Sequence, residues 1–356
     1  MSPSRLFRAS LLPLTLVITG CGSGTSGKTE NTGPGAPPPL VETGSGVIAS
    51  RTAPIPPAKN SAERIVFVRG GSVWMMGTDG QEPEQLTVRS LEAPDLGPRI
   101  SPDGGLLVYA SAKDGTQKLY VQSMEEMIPN AISEGVDGEP SWSPDGSKLA
   151  FMRGDERVSR DLYVVTIDSK TGLPLSDPTL LLKGDDDHPE FAGAPVWSGD
   201  GKSILLSADR RKHIGTSLWQ VPVAGGAPSP VTPIRNSAPW TRDRWPSVSP
   251  DGKRIVFASN RHASTSDSAD DFDIYSVEQD GSGLTRLSED PGTVAQPVFS
   301  HDGSRLYFAS TRIRSSGYEW EIYVMAAGGG EQRRLTREAR PENYAPSITI
   351  LPASAQ

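Results

Sequence analysis

One short segment recurs along this chain, and its recurrence constrains the fold more than any other feature. The fullest copies read Pro-Ser-Trp-Ser-Pro-Asp-Gly-Ser-Lys-Leu-Ala-Phe at 140–151 and Pro-Ser-Val-Ser-Pro-Asp-Gly-Lys-Arg-Ile-Val-Phe at 246–257. Related segments begin at Pro98, Pro195 and Pro297, and a truncated one at Pro346, in steps of 42, 55, 51, 51 and 49 residues. A period of that length, built from short strands and turn residues, is the signature of a β-propeller in which each repeat makes one blade.

Each repeat reads strand by strand. Pro opens the first strand, where a missing N–H costs least. An apolar residue stands two places on, at Ile100, Trp142, Trp197, Val248, Phe299 and Ile348, which marks the inner strand. In the Ser-Pro-Asp-Gly turn that follows, Pro presets φ for a type I turn and Gly takes the left-handed position. Gly199 and His301 replace Pro in two copies, while Asp200-Gly201 and Asp302-Gly303 are kept. Second strands are expected at Leu106–Tyr109, Leu149–Met152, Ile204–Leu206, Ile255–Ala258 and Leu306–Ala309. Third strands centre on Tyr120, Tyr163, Trp219, Tyr275 and Tyr323, and fourth strands end near Leu-Thr or its equivalent, as at Leu287-Ser288 and Leu335-Thr336. Residues 64–87 supply strands two to four without a Pro-led first strand, and 346–350 supply a first strand with nothing after it. The C-terminal strand is therefore expected to complete the N-terminal blade. The result is an all-β, six-bladed propeller over 61–351 with no open edge, followed by a tail at 352–356.

The residues ahead of the propeller are of a different kind. Residues 1–20 predict a signal peptide, with Arg5 and Arg8 as its basic part and Leu11–Ile18 as an apolar core too short to span a bilayer. That core ends in Val17-Ile-Thr-Gly-Cys21, and Cys21 is the only cysteine. Small residues before such a cysteine resemble a bacterial lipobox, which implies cleavage before Cys21 and diacylglyceryl attachment to its sulfur. Gly22 follows, and the absence of Asp there implies, by analogy with lipoprotein sorting, the outer membrane. Residues 21–60 are rich in Gly, Ser, Thr and Pro and are expected to form a lipid-bearing, disordered tether. Gly22–Thr29 also fits the phosphate-loop spelling, but the Glu30–Pro39 segment after it cannot form the helix that motif requires. No nucleotide is expected.

With 35 basic and 43 acidic residues the net charge is −8, and removal of residues 1–20 brings it to −10. That balance disfavours nucleic acid and general adhesion to anionic lipid. Chain direction places the one-to-two and three-to-four connections at one end of the blades, where all are short. The other connections lie at the opposite end and are long and varied: 153–160, 184–194, 209–216, 233–245, 259–272 and 311–320. Long loops on one face of a rigid scaffold carry binding. On that face Arg210, Arg211, Lys212, Arg235, Arg242 and Arg244 stand with Trp240 and Trp245, all candidate partner-binding residues. An acidic sector precedes them: Glu134, Asp137, Glu139, Asp185, Asp186, Asp187 and Glu190. The pairing of sectors suggests an envelope protein or peptide of complementary charge. Asp185–His188 and the acids at 267–273 lack the regular, Gly-bearing spacing of a calcium loop, so no metal or other cofactor is expected. No Gly-x-Ser-x-Gly elbow occurs and no catalytic residue is assigned.

The repeats resemble those of the TolB-type propeller family, in which Pro-x-Trp-Ser-Pro-Asp-Gly-x-x-Ile-Ala-Phe recurs blade by blade; 140–151 and 246–257 match most fully. The resemblance covers roughly 61–351. It implies six blades and a protein-docking role in the cell envelope beside a peptidoglycan-associated lipoprotein. An α/β domain precedes the family's type propeller, where this chain has the tether. The same blades cap prolyl-peptidase-type enzymes. The expectation is a lipid-anchored, non-enzymatic docking module facing the periplasm or exterior. The alternatives are a hydrolase or polysaccharide lyase using acids and His of the long-loop face, and a structural envelope spacer.

Overall fold

A computed structural model describes residues 54–56, 63–88, 94–135, 137–154, 160–184, 190–191, 194–209, 215–233, 240–263, 271–289, 292–311, 320–336 and 348–351. The segment expected to be a signal peptide, Cys21, most of the expected tether and the tail lie outside the described residues.

Among the described residues every regular element is a strand, and the strands form six antiparallel sheets. Blade 1 has the order Ile348–Leu351, Arg64–Arg69, Ser72–Gly77, Glu84–Gln85. Blade 2 comprises Asp95–Ile100, Leu106–Ser111, Lys118–Ser123 and Asn130–Ala131. Blade 3 comprises Asp137–Trp142, Lys148–Arg153, Asp161–Thr166 and Thr179–Leu182. In blade 4 the inner position is split between Glu190–Phe191 and Val196–Trp197, followed by Ser203–Asp209, Ser217–Pro222 and Ser229–Pro230. Blade 5 comprises Asp243–Val248, Arg254–Ser259, Asp273–Glu278 and Thr285–Arg286. Blade 6 comprises Thr293–Phe299, Arg305–Thr311, Trp320–Ala326 and Gln332–Arg334.

The ring closes as the repeat predicts. Ile348 to Leu351 pair antiparallel with Phe67 to Arg64, so the last strand is the inner strand of the first blade. A second fastening lies beside it. Glu63 is buried, accepts the His301 N–H at 2.6 Å, and is bound by Arg305 at 3.2 Å and the Tyr307 hydroxyl at 3.4 Å. The Glu63 carboxylate thus joins the start of blade 1 to blade 6.

The core is distributed around the ring. The described apolar residues form six clusters, one at each junction between neighbouring blades. Ile55, in the segment expected to be tether, packs against the cluster between blades 6 and 1. Cross-strand aromatic pairs recur between second and third strands: Tyr109–Tyr120, Phe151–Tyr163, Phe257–Tyr275 and Phe308–Tyr323, with centroids 5.8–6.1 Å apart. Such pairs contribute about 0.5–1.5 kcal/mol each beyond the area they bury.

The Ser-x-Asp-Gly turn shows why its residues recur. In blade 3 the Ser143 hydroxyl donates to Asp145 at 2.6 Å and accepts the Lys148 N–H at 2.9 Å, while Asp145 accepts the Ser147 N–H at 3.1 Å. Gly146 turns the chain at φ 70°. These hydrogen bonds, the Ser143 hydroxyl first, hold the Asp145 carboxyl down at about 2. The same Ser–Asp contact repeats at Ser101, Ser198, Ser249 and Ser300. The Leu-Thr ends of the fourth strands have an equally local role. The hydroxyls of Thr87, Ser133, Thr232, Ser288 and Thr336 each accept a backbone N–H from the third strand, 14 residues earlier, extending the ladder by one bond.

One expectation is corrected. In four blades Pro does not open the first strand, whereas Val196–Trp197 begins directly after Pro195. Strands begin at Asp95, Asp137, Asp243 and Thr293, three or four residues ahead of Pro98, Pro140, Pro246 and Pro297. In these four blades the register slips just before the proline, and the residue preceding it (Gly97, Glu139, Trp245 or Gln296) lies at φ 52–57°. The bulge leaves its extra residue out of the ladder, so a proline there removes no hydrogen bond.

Candidate functional site

Charged side chains at the outset of the first strands are inside the protein. Asp95, Asp137 and Asp243 are buried. Asp137 takes both arms of Arg153, Nε at 2.7 Å and Nη2 at 2.9 Å. Asp243 accepts hydrogen bonds from Thr232 at 2.6 Å, Ser259 at 2.7 Å and Arg261 Nε at 2.9 Å. Asp273 is bound by Arg286 and by Ser288, and Glu321 by Thr336 and Arg334. Burial of Asp137, Asp243, Asp273 and Glu321 is tolerated because each is hydrogen-bonded or paired.

The bulges border a central channel. Inner strands of all six blades enclose a cavity of about 350 Å³. Trp142, Trp197, Trp245 and Phe299 form much of its wall, with Arg99, Ser141 and Gln296 among its polar members. Two of the indoles join blades: Trp142 Nε1 donates to the Arg99 carbonyl at 3.2 Å, and Trp197 Nε1 to the Ser141 carbonyl at 3.1 Å. The bulge places Trp245 in the wall, its ring 6.0 Å from Phe272, and brings the Arg244 guanidinium 5.9 Å from both rings. Gly97, at the same step of blade 2, approaches Pro140 and Glu139 of blade 3.

The candidate residues divide accordingly. Arg210, Arg211, Lys212 and Arg235 lie outside the described residues. Trp240 is half-buried; its carbonyl accepts the Asn260 amide at 2.9 Å, and its indole N–H approaches the Ala263 carbonyl at 3.5 Å. Arg242 is half-buried, and its N–H donates to Asn260 Oδ1 at 2.6 Å. The structure therefore brings Arg244 and Trp245 together, and ties Trp240 and Arg242 to the Asn260 side chain. The acidic sector is less free than its composition suggests: Asp137 is bound by Arg153 and Glu139 by Arg160 at 2.9 Å. Asp185–Asp187 and the side chain of Glu190 lie outside the described residues. So do His188, Asp267 and Asp270. Among the described residues no group of three or more His, Cys, Asp or Glu is placed to hold a metal.

Sequence reasoning missed Arg99 and Gln296, which line the channel. For Gln296 the available signal was the residue before the repeat proline, which varies among Gly97, Glu139, Trp245 and Gln296 while the proline stays constant; Arg99 follows its proline and carried no such signal.

Comparison with known proteins agrees with this architecture. The chain is 33% identical over 78 residues to "Tol-Pal system protein TolB" of Alcanivorax borkumensis, 21% of this chain and 17% of that protein. It is 25% identical over 215 residues to "Uncharacterized peptidase YuxL" of Bacillus subtilis, 50% of this chain and 31% of that protein. The matches thus span less than a third of either curated relative. Among solved structures, TolB from Acinetobacter baumannii is similar in fold at a TM-score of 0.62 and 17% identity, over 80% of this chain and 66% of that one. Residues 61–266, more than half of the chain and the stretch that holds blades 2 to 4, match the family model for the TolB beta propeller domain, and the chain belongs to that family.

Proposed function

We propose that this propeller is a non-enzymatic docking module of the cell envelope, exported and held to the membrane by a lipid on Cys21. It binds a protein or peptide through the long-loop face, with Arg210, Arg211, Lys212, Arg235, Trp240, Arg242, Arg244 and Trp245 as contacts. The Arg244–Trp245–Phe272 arrangement carries the reading. Half-buried Trp and Arg held by backbone structure are the side chains that concentrate binding energy at interfaces, because little ordering cost remains to be met on association. The similarity to a protein named for the Tol-Pal system supports an envelope setting, and fold by itself implies no role.

A second reading, a propeller-type hydrolase or polysaccharide lyase, is favoured by one arrangement. His262 lies between Asp271 (Nε2–Oδ2 3.6 Å) and Asp273 (Nδ1–Oδ2 3.4 Å). Asp273 is already engaged by Arg286 and Ser288, which is why docking is preferred.

Cross-linking of the lipidated protein in its native envelope, with mass spectrometry of captured partners, tests the proposal. A partner captured by the wild type and lost from the Arg211→Glu/Trp240→Ala/Arg244→Glu variant, with an unchanged circular dichroism spectrum, is the expected result. Equal capture by both proteins, or no specific capture, overturns it.

A further inference from the structure

We propose that the central channel is a binding site for a carboxylate carried on an apolar body, with Arg99 as the anion-binding group. Arg99 follows Pro98 on the inner strand of blade 2 and is the single ionisable side chain among the described residues lining the 350 Å³ cavity. Its guanidinium donates Nη1 to the Pro98 carbonyl at 2.9 Å, and among the described residues it forms no ion pair. The carboxylate that acts on it electrostatically, Glu139, is bound to Arg160 at 2.9 Å. The one carboxylate that acts on Arg99 is thus already paired with a second guanidinium. Burial lowers the Arg99 pKa and Glu139 raises it, but a guanidinium keeps its proton in proteins.

The rest of the wall states what the anion is attached to. Trp142, Trp245, Val248 and Phe299 are apolar, and Ser141 and Gln296 offer hydrogen bonds without charge. A cation desolvated in such a wall favours an anion that returns paired hydrogen bonds, and the carboxylate is the planar match for the guanidinium fork. The cavity volume falls within the roughly 300–1,000 Å³ range of small-ligand sites. A peptide C-terminus and a free organic acid share this chemistry.

Titration of the full-length chain, solubilised in detergent, with three probes tests the site. The probes are acetyl-Ala-Phe as the free acid, the same dipeptide as its C-terminal amide, and 3-phenylpropionate. Calorimetry reads affinity, and tryptophan fluorescence reports the channel because three indoles line it. At least one acid is expected to bind, with the amide weaker by about tenfold or more. Arg99→Gln is expected to erase the preference for acid over amide and Arg99→Lys to keep part of it, each with an unchanged thermal melt. The acid–amide comparison on wild type needs no variant to fold. Stronger binding of the dipeptide acid assigns the site to a peptide C-terminus, and stronger binding of phenylpropionate to a free acid. Equal affinity for acid and amide, absence of binding by both acids, or full affinity in a folded Arg99→Gln protein overturns the proposal.

Discussion

At the scale of single residues, the charges that look alike in the sequence divide into two kinds. Asp243 stands in a run of Arg and Trp, yet it is fully buried and accepts from Thr232, Ser259 and Arg261. Removing one member of a buried pair strands the other, at a cost of about 3–5 kcal/mol. Asp243→Ala is accordingly expected to lose stability on that scale in urea denaturation. A change within about 0.5 kcal/mol, the usual effect at a solvated surface position, would show that the pair adds nothing to the fold. Asp137 and Asp243 were unreadable as core because their partners lie 16 and 18 residues away. Only the hairpin between first and second strands brings them together. The Arg244–Trp245 pair is the opposite case: it is adjacent in sequence, so its composition already suggested an anchor, although not that Trp245 lines the channel.

At the scale of elements, the turn is the most legible part of the chain and also where repetition misleads. Gly146, Gly201 and Gly303 each place their Cα facing the proline ring of the preceding blade's turn, at Pro102, Pro144 and Pro250. At the junction of blades 4 and 5 the pattern breaks, because Gly199 stands in place of proline and meets Gly252. Comparison of the repeats alone recommends Gly199→Pro as a stabilising restoration, since proline presets the turn. A Cβ at residue 199, however, would come within 2.6 Å of the Gly252 Cα, which is backbone and cannot step aside. The expected outcome of Gly199→Pro is a lower melting temperature, with a loss on the order of 1–3 kcal/mol as for an overpacked site. A higher melting temperature in calorimetry would mean that blades 4 and 5 can separate enough to admit the ring. The first strands teach the same lesson in milder form. Proline marked them correctly, but it sits at a bulge inside the strand, because period-two patterning carries no sign of where a register slips.

At the scale of the whole molecule, stability depends on closure. The strand at Ile348–Leu351 covers the edge of Arg64–Arg69 and contributes Ile348, fully buried, to the cluster between blades 6 and 1. Deleting residues 348–356 is expected to expose that edge and abolish the single cooperative unfolding transition. Early proteolytic cleavage within 64–85 should accompany it, seen by limited proteolysis and a urea melt. Unchanged cooperativity would mean that the Glu63–Arg305 fastening suffices to hold the ring. From sequence alone came the all-β class, the six blades, the closing strand and the residues of each turn. All of these rest on local rules: the strand period of two, the φ of Gly and Pro, and a repeat length that a blade must match. What tertiary structure alone decided was which charges are buried and how the first strands bulge. It also decided which residue before each proline borders the channel, and that Arg99 stands in the channel wall. Those outcomes depend on groups that are distant in the chain and meet only when six blades share one axis, and no local rule acts across that separation.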